Sequence, residues 1–78
     1  MKITFENVDV LAMDRSKVRV SGDLVSLLYI DDLINNDLIN TGINSKIFAV
    51  YDDANEKVGC AFIEKIKDDE YRIVFSRG

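Results

Sequence analysis

Hydrophobic residues between positions 23 and 41 recur with the period of a helix. At about 100° per residue, one face of such a helix gathers six aliphatic side chains: Leu24, Leu27, Leu28, Ile34, Leu38 and Ile39. The opposite side carries a second apolar stripe made of Val25, Tyr29, Ile30 and Leu33. A surface helix of a small domain normally has one apolar stripe. The pattern therefore predicts that the second stripe is covered, either by another part of the chain or by a partner.

The ends of this predicted helix are also marked in the sequence. Ser21 or Asp23 can serve as its N-cap, and Gly42 suits the left-handed position that follows a helix. Asparagine is a poor helix former, so a break near Asn35 and Asn36 is possible. Short apolar runs do not distinguish a helix from a strand by periodicity alone. An alternative interpretation makes residues 24–30 a strand.

Alternating apolar and polar residues elsewhere predict β-strands. The strands are expected near residues 2–6, 17–20, 47–51, 58–66 and 71–75. The alternation changes phase near Asn7, which indicates a bulge or a short turn there. Two short acidic turns separate the last three strands, as in an antiparallel meander. The predicted fold class is α+β, with the order ββαβββ: an antiparallel sheet of about five strands and one helix on one face.

Composition narrows the class of protein. The chain has 78 residues, a net charge of −4, a single cysteine and no histidine. We expect one domain spanning residues 1–78 and no disulfide framework. The start of the chain lacks the apolar segment of a signal peptide, and no apolar run is long enough to cross a membrane. These features favour a cytoplasmic protein.

The chemical motifs of enzymes are absent from the sequence. Without histidine, the common general bases and nucleophile pairs cannot form, so we expect no catalytic activity, metal site or cofactor. Cys60 lies in a strand pattern and is expected to fill the core. Aspartate pairs at 52–53 and 68–69 suit turns. A minimal enzyme that holds a metal with Asp31 and Asp32 is the least favoured alternative.

Three basic residues, Arg15, Lys17 and Arg19, alternate with valines and would share one outward strand face. This strip is an alternative site for weak binding of phosphate or nucleic acid. The net acidic charge argues against a general nucleic-acid partner, and exposed strands often carry such charges to discourage pairing. We therefore expect no nucleic-acid partner.

Asp31 falls on the first apolar face of the predicted helix, where an unpaired buried charge would be costly. Three arrangements would avoid the cost. The helix can bend or end there, Arg19 or Arg72 can reach the carboxylate, or the face is only partly covered. For the second stripe, residues 7–14 could fold over it. A partner protein or a second copy of the chain is the favoured explanation, since a self-complementary patch readily forms a two-fold dimer.

These observations favour a small acidic protein that acts by binding another protein and forms a homodimer. Its motif-poor, Asn-, Ile- and Asp-rich composition is in the style of accessory proteins of phages and mobile elements, many of which inhibit a host factor. The expected partner interface combines the helix stripe with a negative rim on two turns that would face a basic surface: Val25, Tyr29, Ile30, Leu33, Asp52, Asp53, Glu56, Asp68, Asp69 and Glu70. The alternative is an assembly subunit that homo-oligomerises through its helix.

Overall fold

Strands dominate the computed structural model, which describes residues 2–22, 26–36 and 45–78. In chain order the strands are β1 (Lys2–Glu6), β2 (Arg19–Ser21), β3 (Leu28–Tyr29), β4 (Ser45–Tyr51), β5 (Lys57–Lys67) and β6 (Glu70–Arg77). One α-helix, α1, spans Ile30–Asn35, and two 3₁₀ turns span Val8–Leu11 and Arg15–Lys17. The predicted meander of the last three strands is confirmed, because β4, β5 and β6 pair antiparallel in sequence order.

The strands form one sheet in the order β1-β6-β5-β4-β2-β3, curled into a half-barrel. A sheet-based α+β fold was expected, but the prediction of about five antiparallel strands is wrong in two respects. The short strand β3 makes a sixth described strand, and β1 runs parallel to β6. Residues 7–18 carry the chain from β1, at one edge, to β2, the fifth strand in the order.

The core lies on the inner side of the half-barrel. Alternate residues of β6 point there, and the predicted common face of Tyr71, Ile73 and Phe75 is confirmed by their burial. Residues of β2, β4 and β5 pack against them, and the helix and the first 3₁₀ turn complete the cluster. Its buried members are Leu11, Val18, Val20, Ile30, Leu33, Phe48, Val50, Ala61, Ile63, Tyr71, Ile73 and Phe75.

The predicted helix over 23–41 is wrong for residues 26–29 and correct for 30–35. Leu28 pairs with Val20 in β3, so the alternative of a strand in this region holds for residues 28–29. The helix ends at Asn35, as the asparagine pair indicated, and the Asn36 backbone N–H donates to the Asp32 carbonyl oxygen at 3.0 Å. Residues 23–25 and 37–44, which include the predicted caps Asp23 and Gly42, lie outside the described residues. The prediction of Ser21 as N-cap is wrong, because Ser21 lies in β2 and Tyr29 precedes α1. No helix in the described ranges has the length and apolarity needed to cross a bilayer.

The segment after β1 turns away from the sheet at the place where the alternation changes phase. Asn7 adopts a left-handed backbone conformation with φ of 62°, and the 3₁₀ turn Val8–Leu11 follows. This turn packs against β6, whereas the second 3₁₀ turn, Arg15–Lys17, packs against α1. Residues 8–11 therefore cover the core beside β6 and do not cover the helix. The second 3₁₀ turn, Arg15–Lys17, covers the helix.

Candidate functional site

The helix stripe predicted as a partner interface does not form an exposed patch. Ile30 is 0% exposed and Leu33 is 1% exposed, because both side chains point into the core. Tyr29, which precedes the helix in β3, is 45% exposed and faces the outer side of the sheet. Val25 lies outside the described residues. The interface predicted on this helix is therefore corrected: Ile30 and Leu33 stabilise the fold, and Tyr29 belongs to a different surface.

The two acidic turns do not form one negative rim. Asp52, Asp53 and Glu56 belong to the turn before β5, while Asp68, Asp69 and Glu70 lie at or beyond its far end. Since β5 has 11 residues and strands rise by about 3.3 Å per residue, the turns are separated by roughly 33 Å. Successive turns of a meander always lie at opposite ends of the shared strand, so a common rim is geometrically excluded.

One acidic side chain of the turn at 52–56, that of Asp52, stabilises the turn itself. The Asp52 carboxylate oxygen Oδ1 accepts hydrogen bonds from the backbone N–H groups of Ala54 at 2.9 Å and Glu56 at 3.0 Å. Arg19 Nη2 donates to the Asp52 carbonyl oxygen at 2.7 Å and also to Asn55 Oδ1. Asp52 and Asn55 therefore act within the fold, which leaves the exposed carboxylates of Asp53 and Glu56 as the acidic surface here.

Two lysines form ion pairs with acidic residues of the second turn. Lys65 Nζ lies 3.5 Å from Asp68 Oδ1, and Lys67 Nζ lies 3.5 Å from Glu70 Oε1. Asp69 takes a left-handed conformation with φ of 63°, as the last residue of a short hairpin loop with an adjoining bulge commonly does. The negative charge at this end is partly neutralised locally, so it offers a weaker attraction to a basic partner than the sequence suggested.

The predicted basic strip is also divided. Arg15 and Lys17 lie in a 3₁₀ turn, and Arg19 alone lies in β2. The Arg15 guanidinium is 3.5 Å from Asp31 Oδ1, so neither Arg19 nor Arg72 provides the expected counter-charge for that carboxylate. With Arg15 and Arg19 both engaged within the fold, the three cations do not form one phosphate-binding face. In the ranges 2–22, 26–36 and 45–78, no three acidic or cysteine side chains converge as a metal site would require.

The outer side of the sheet carries an apolar row that crosses three strands. Ile47 in β4 pairs with Phe62 in β5, which pairs with Val74 in β6. Paired residues of neighbouring strands point to the same side, and this row points away from the core. Ile47 is 68% exposed. The helix and the first 3₁₀ turn contribute their buried residues to the inner side, so they do not cover this row.

A second row of smaller side chains runs beside the first, offset from it by two residues on each strand. Ala49 in β4 is in register with Ser21 in β2 and with Cys60 in β5, and Cys60 is in register with Ser76 in β6. The expectation that Cys60 fills the core is wrong, because its position in the alternation is opposite to that of buried Ala61. We call the large and small rows together the outer sheet face.

Charged side chains border the outer sheet face beyond its large row. Arg72 Nη2 donates to Glu64 Oε1 at 2.7 Å, and Arg72 Nε lies 3.6 Å from Glu6 Oε2. The three side chains lie on neighbouring strands, because Glu64 is in register with Arg72, and Glu6 with Val74. The large row therefore has a polar border whose charges are already paired within the chain.

The sequence contained a signal for this surface. The segment Ile47–Tyr51 is apolar at every position, and residues 58–63 are apolar or glycine throughout. A strand that is apolar on both faces is typical of a sheet covered on both sides. Here one side is the core, and the other is the outer sheet face. The second apolar surface thus lies on the central strands rather than on the helix.

Comparison of the chain with models of protein families, with curated proteins and with solved structures finds no match in any of the three.

Proposed function

We propose that this chain is a non-catalytic protein-binding module that docks through the outer sheet face. The observation that carries the proposal is the row Ile47, Phe62 and Val74, an apolar strip on the side of the sheet opposite the core. Exposed apolar patches with a polar border are typical of protein-protein contact sites. Glu64 and Arg72 supply such a border here.

Ile47 is the expected anchor of the contact. Burying a side chain of this type contributes about 1.5–3 kcal/mol relative to leaving it exposed, and Ile47 is 68% exposed. Tyr29, also on the outer side, adds an aromatic ring near the opposite end of this surface. Aromatic residues are enriched in interface cores.

Affinity capture with three baits tests the proposal. Ile47→Lys places a charge at the β4 end of the large row, whereas Ile66→Lys makes the same change at a residue that is 46% exposed near the far end of β5, beyond Glu64. Wild type and Ile66→Lys are expected to retain the same bound protein, and Ile47→Lys is expected to lose it. Equal retention by all three folded baits would contradict the use of this face.

A second candidate is the exposed acidic pair Asp53 and Glu56, through which the chain would contact a basic partner, as in an inhibitor of a host factor. The observation that favours it is their exposure on a turn whose shape is fixed by Asp52. Charge reversal at Asp53 and Glu56 together would abolish such binding without unfolding the chain. High salt would weaken the same binding. Unchanged binding in either experiment would exclude this candidate.

A further inference from the structure

A cavity of about 320 Å³ lies on the outer side of the sheet, at β2. Ser21 of β2 and Tyr51 of β4 line it, and they point outward because their neighbours Val20 and Val50 are fully buried in the core. The other lining residues come from the segment before β3 and from the turn before β5: Ser26, Leu27 and Asn55. We call this hollow the β2 cavity. Its volume is at the lower end of the range for small-molecule sites.

The lining of the β2 cavity is uncharged, although 31% of the residues of this chain are charged. Ser21, Ser26 and Tyr51 each carry a hydroxyl group, which can both donate and accept a hydrogen bond. Within the described ranges, none of these three hydroxyls is bonded to another residue. The cavity therefore offers hydrogen-bonding groups that the fold itself does not use.

Asn55 adds a hydrogen-bond donor whose position is fixed by the fold. Its Oδ1 accepts a hydrogen bond from Arg19 Nη2, and its backbone N–H donates to the Asp52 carbonyl oxygen at 3.1 Å. Because Arg19 engages the side-chain oxygen, the Nδ2 group is the donor left to a ligand. A group that is oriented before binding loses less conformational entropy when the ligand arrives.

Leu27 and the ring of Tyr51 form the apolar part of the lining. Leu27 is 37% exposed, and its backbone is left-handed with φ of 47°. A residue with a Cβ adopts this conformation at an energetic cost, and residues strained in this way cluster at functional sites. The strained backbone at Leu27 therefore coincides with the cavity whose polar groups are unused.

We propose that the β2 cavity binds one sugar unit of an uncharged carbohydrate. The hydroxyl groups of a sugar both donate and accept, which matches the serine and tyrosine hydroxyls and the Asn55 amide. The C–H face of a sugar ring is apolar and can pack on Leu27 and the ring of Tyr51. Tyr51 lies four residues from Ile47, about 13 Å along β4. The proposal therefore does not depend on the proposed protein contact.

The charge around the β2 cavity favours an uncharged ligand over a nucleic acid. Asp53 and Glu56 expose carboxylates on the same turn as Asn55, and the chain has a net charge of −4. Both features repel phosphate groups, whereas a nucleic-acid site requires a basic surface. A neutral sugar meets no such repulsion.

NMR titration of the isotope-labelled full chain tests the proposal. The probes are the methyl glycosides of glucose, galactose and mannose, and uridine monophosphate is the nucleotide probe. Each glycoside has about 13 non-hydrogen atoms, so a Kd of about 1 mM is expected. At least one glycoside should cause saturable shifts of the backbone amide signals of Ser21, Ser26, Leu27 and Asn55. Uridine monophosphate should cause none.

Two matched pairs of variants locate the site. Ser21→Ala removes a lining hydroxyl, and Ser76→Ala makes the same change in the same small row, on β6 and outside the cavity. Tyr51→Phe also removes a lining hydroxyl, whereas Tyr29→Phe does so at the other tyrosine in register with Arg19. Ser21→Ala and Tyr51→Phe should each weaken binding about three- to tenfold. The two controls should bind as wild type does, and the amide spectra show whether each variant is folded.

Three results would overturn the proposal. In the first, no glycoside gives saturable shifts up to about 50 mM. In the second, only uridine monophosphate saturates, which would assign the cavity to a nucleotide. In the third, the control variants weaken glycoside binding as much as Ser21→Ala and Tyr51→Phe do, which would place the contact elsewhere. The proposed protein contact is tested separately by Ile47→Lys and does not change with any of these results.

Discussion

Arg15 and Asp31 form an ion pair that joins the two ends of the half-barrel. The Arg15 guanidinium lies 3.5 Å from Asp31 Oδ1 in α1, and its central carbon lies 4.2 Å from the centroid of the Phe5 ring in β1. The edge strand β1 and the helix next to β3 are far apart in the strand order. One side chain therefore connects both, and the charge of Asp31 is compensated although the residue lies in a largely apolar segment.

Replacing Arg15 is expected to cost more stability than replacing its partner. Asp31→Asn should lower the free energy of unfolding by less than about 1 kcal/mol, because both side chains are more than a third exposed. Arg15→Ala should cost about 1–2 kcal/mol, since it also removes the contact with the Phe5 ring. Urea unfolding measures both changes.

Asp32→Asn is the matched control for the aspartate. Asp32 lies in the same first turn of α1 and its side chain is exposed, so helix-dipole effects are shared. Its substitution is expected to leave stability within about 0.5 kcal/mol of wild type. Equal losses for Arg15→Ala and Asp31→Asn would show that the contact with Phe5 contributes nothing.

Gly59 is expected to be intolerant of any side chain. A Cβ at this buried position would lie 2.1 Å from the backbone oxygen of Ser76, and backbone cannot move aside without disturbing the β5-β6 pairing. Gly59→Ala should cost about 3 kcal/mol or more, at the upper end of overpacking effects. Thermal or urea unfolding provides the measurement.

Gly22→Ala is the comparison for Gly59→Ala, because its new Cβ would clash with a side chain and not with the backbone. Its Cβ would lie 2.9 Å from a ring carbon of Phe48, and a ring can shift slightly. The expected loss is about 1 kcal/mol. If Gly22→Ala proves as destabilising as Gly59→Ala, the backbone oxygen of Ser76 is not the cause of the larger effect.

The central meander could be predicted because its signals are local. Tyr71, Ile73 and Phe75 alternate with polar or outward residues, and short turns fix antiparallel pairing between adjacent strands. The parallel pairing of β1 with β6 depends instead on contacts between residues distant in sequence, for example Phe5 with Ile73. No local pattern in residues 2–6 indicates which strand they will join.

The bounds and faces of the helix could not be predicted because the helical period was read over residues 23–41, which contain both a strand and a helix. Leu28 belongs to a strand and Ile30 begins a helix, so one helical period does not apply to both. In a helix of six residues, the inward face is set by Ile30 and Leu33, which are three residues apart and lie on the same side. The stripe assigned to a partner was therefore the one that the core uses.

Asp52 is expected to stabilise its turn through its oxygen rather than its charge. Asp52→Ala removes the acceptor for two backbone N–H groups, those of Ala54 and Glu56, and should cost about 1–2 kcal/mol. Asp52→Asn keeps an acceptor oxygen and should cost less than half as much. Amide hydrogen exchange at Ala54 and Glu56 should accelerate in the alanine variant.

Asp53→Ala serves as the control in the same turn, since its exposed side chain is not among those that hold the turn. Its expected effect on stability is within about 0.5 kcal/mol. Should Asp52→Asn be as damaging as Asp52→Ala, the negative charge itself would be the stabilising feature.

Ala12 is a position where glycine should raise stability. Its backbone is left-handed, with φ of 55°, and a Cβ in this conformation costs roughly 1–2 kcal/mol. Ala12→Gly removes that strain but adds freedom to the unfolded chain, so a net gain of up to about 1 kcal/mol is expected. Ala54→Gly makes the same change at another exposed turn residue that lacks a positive φ, and it should lose about 0.5–1 kcal/mol. Urea unfolding should therefore give opposite signs, and a loss in both variants would refute strain at Ala12.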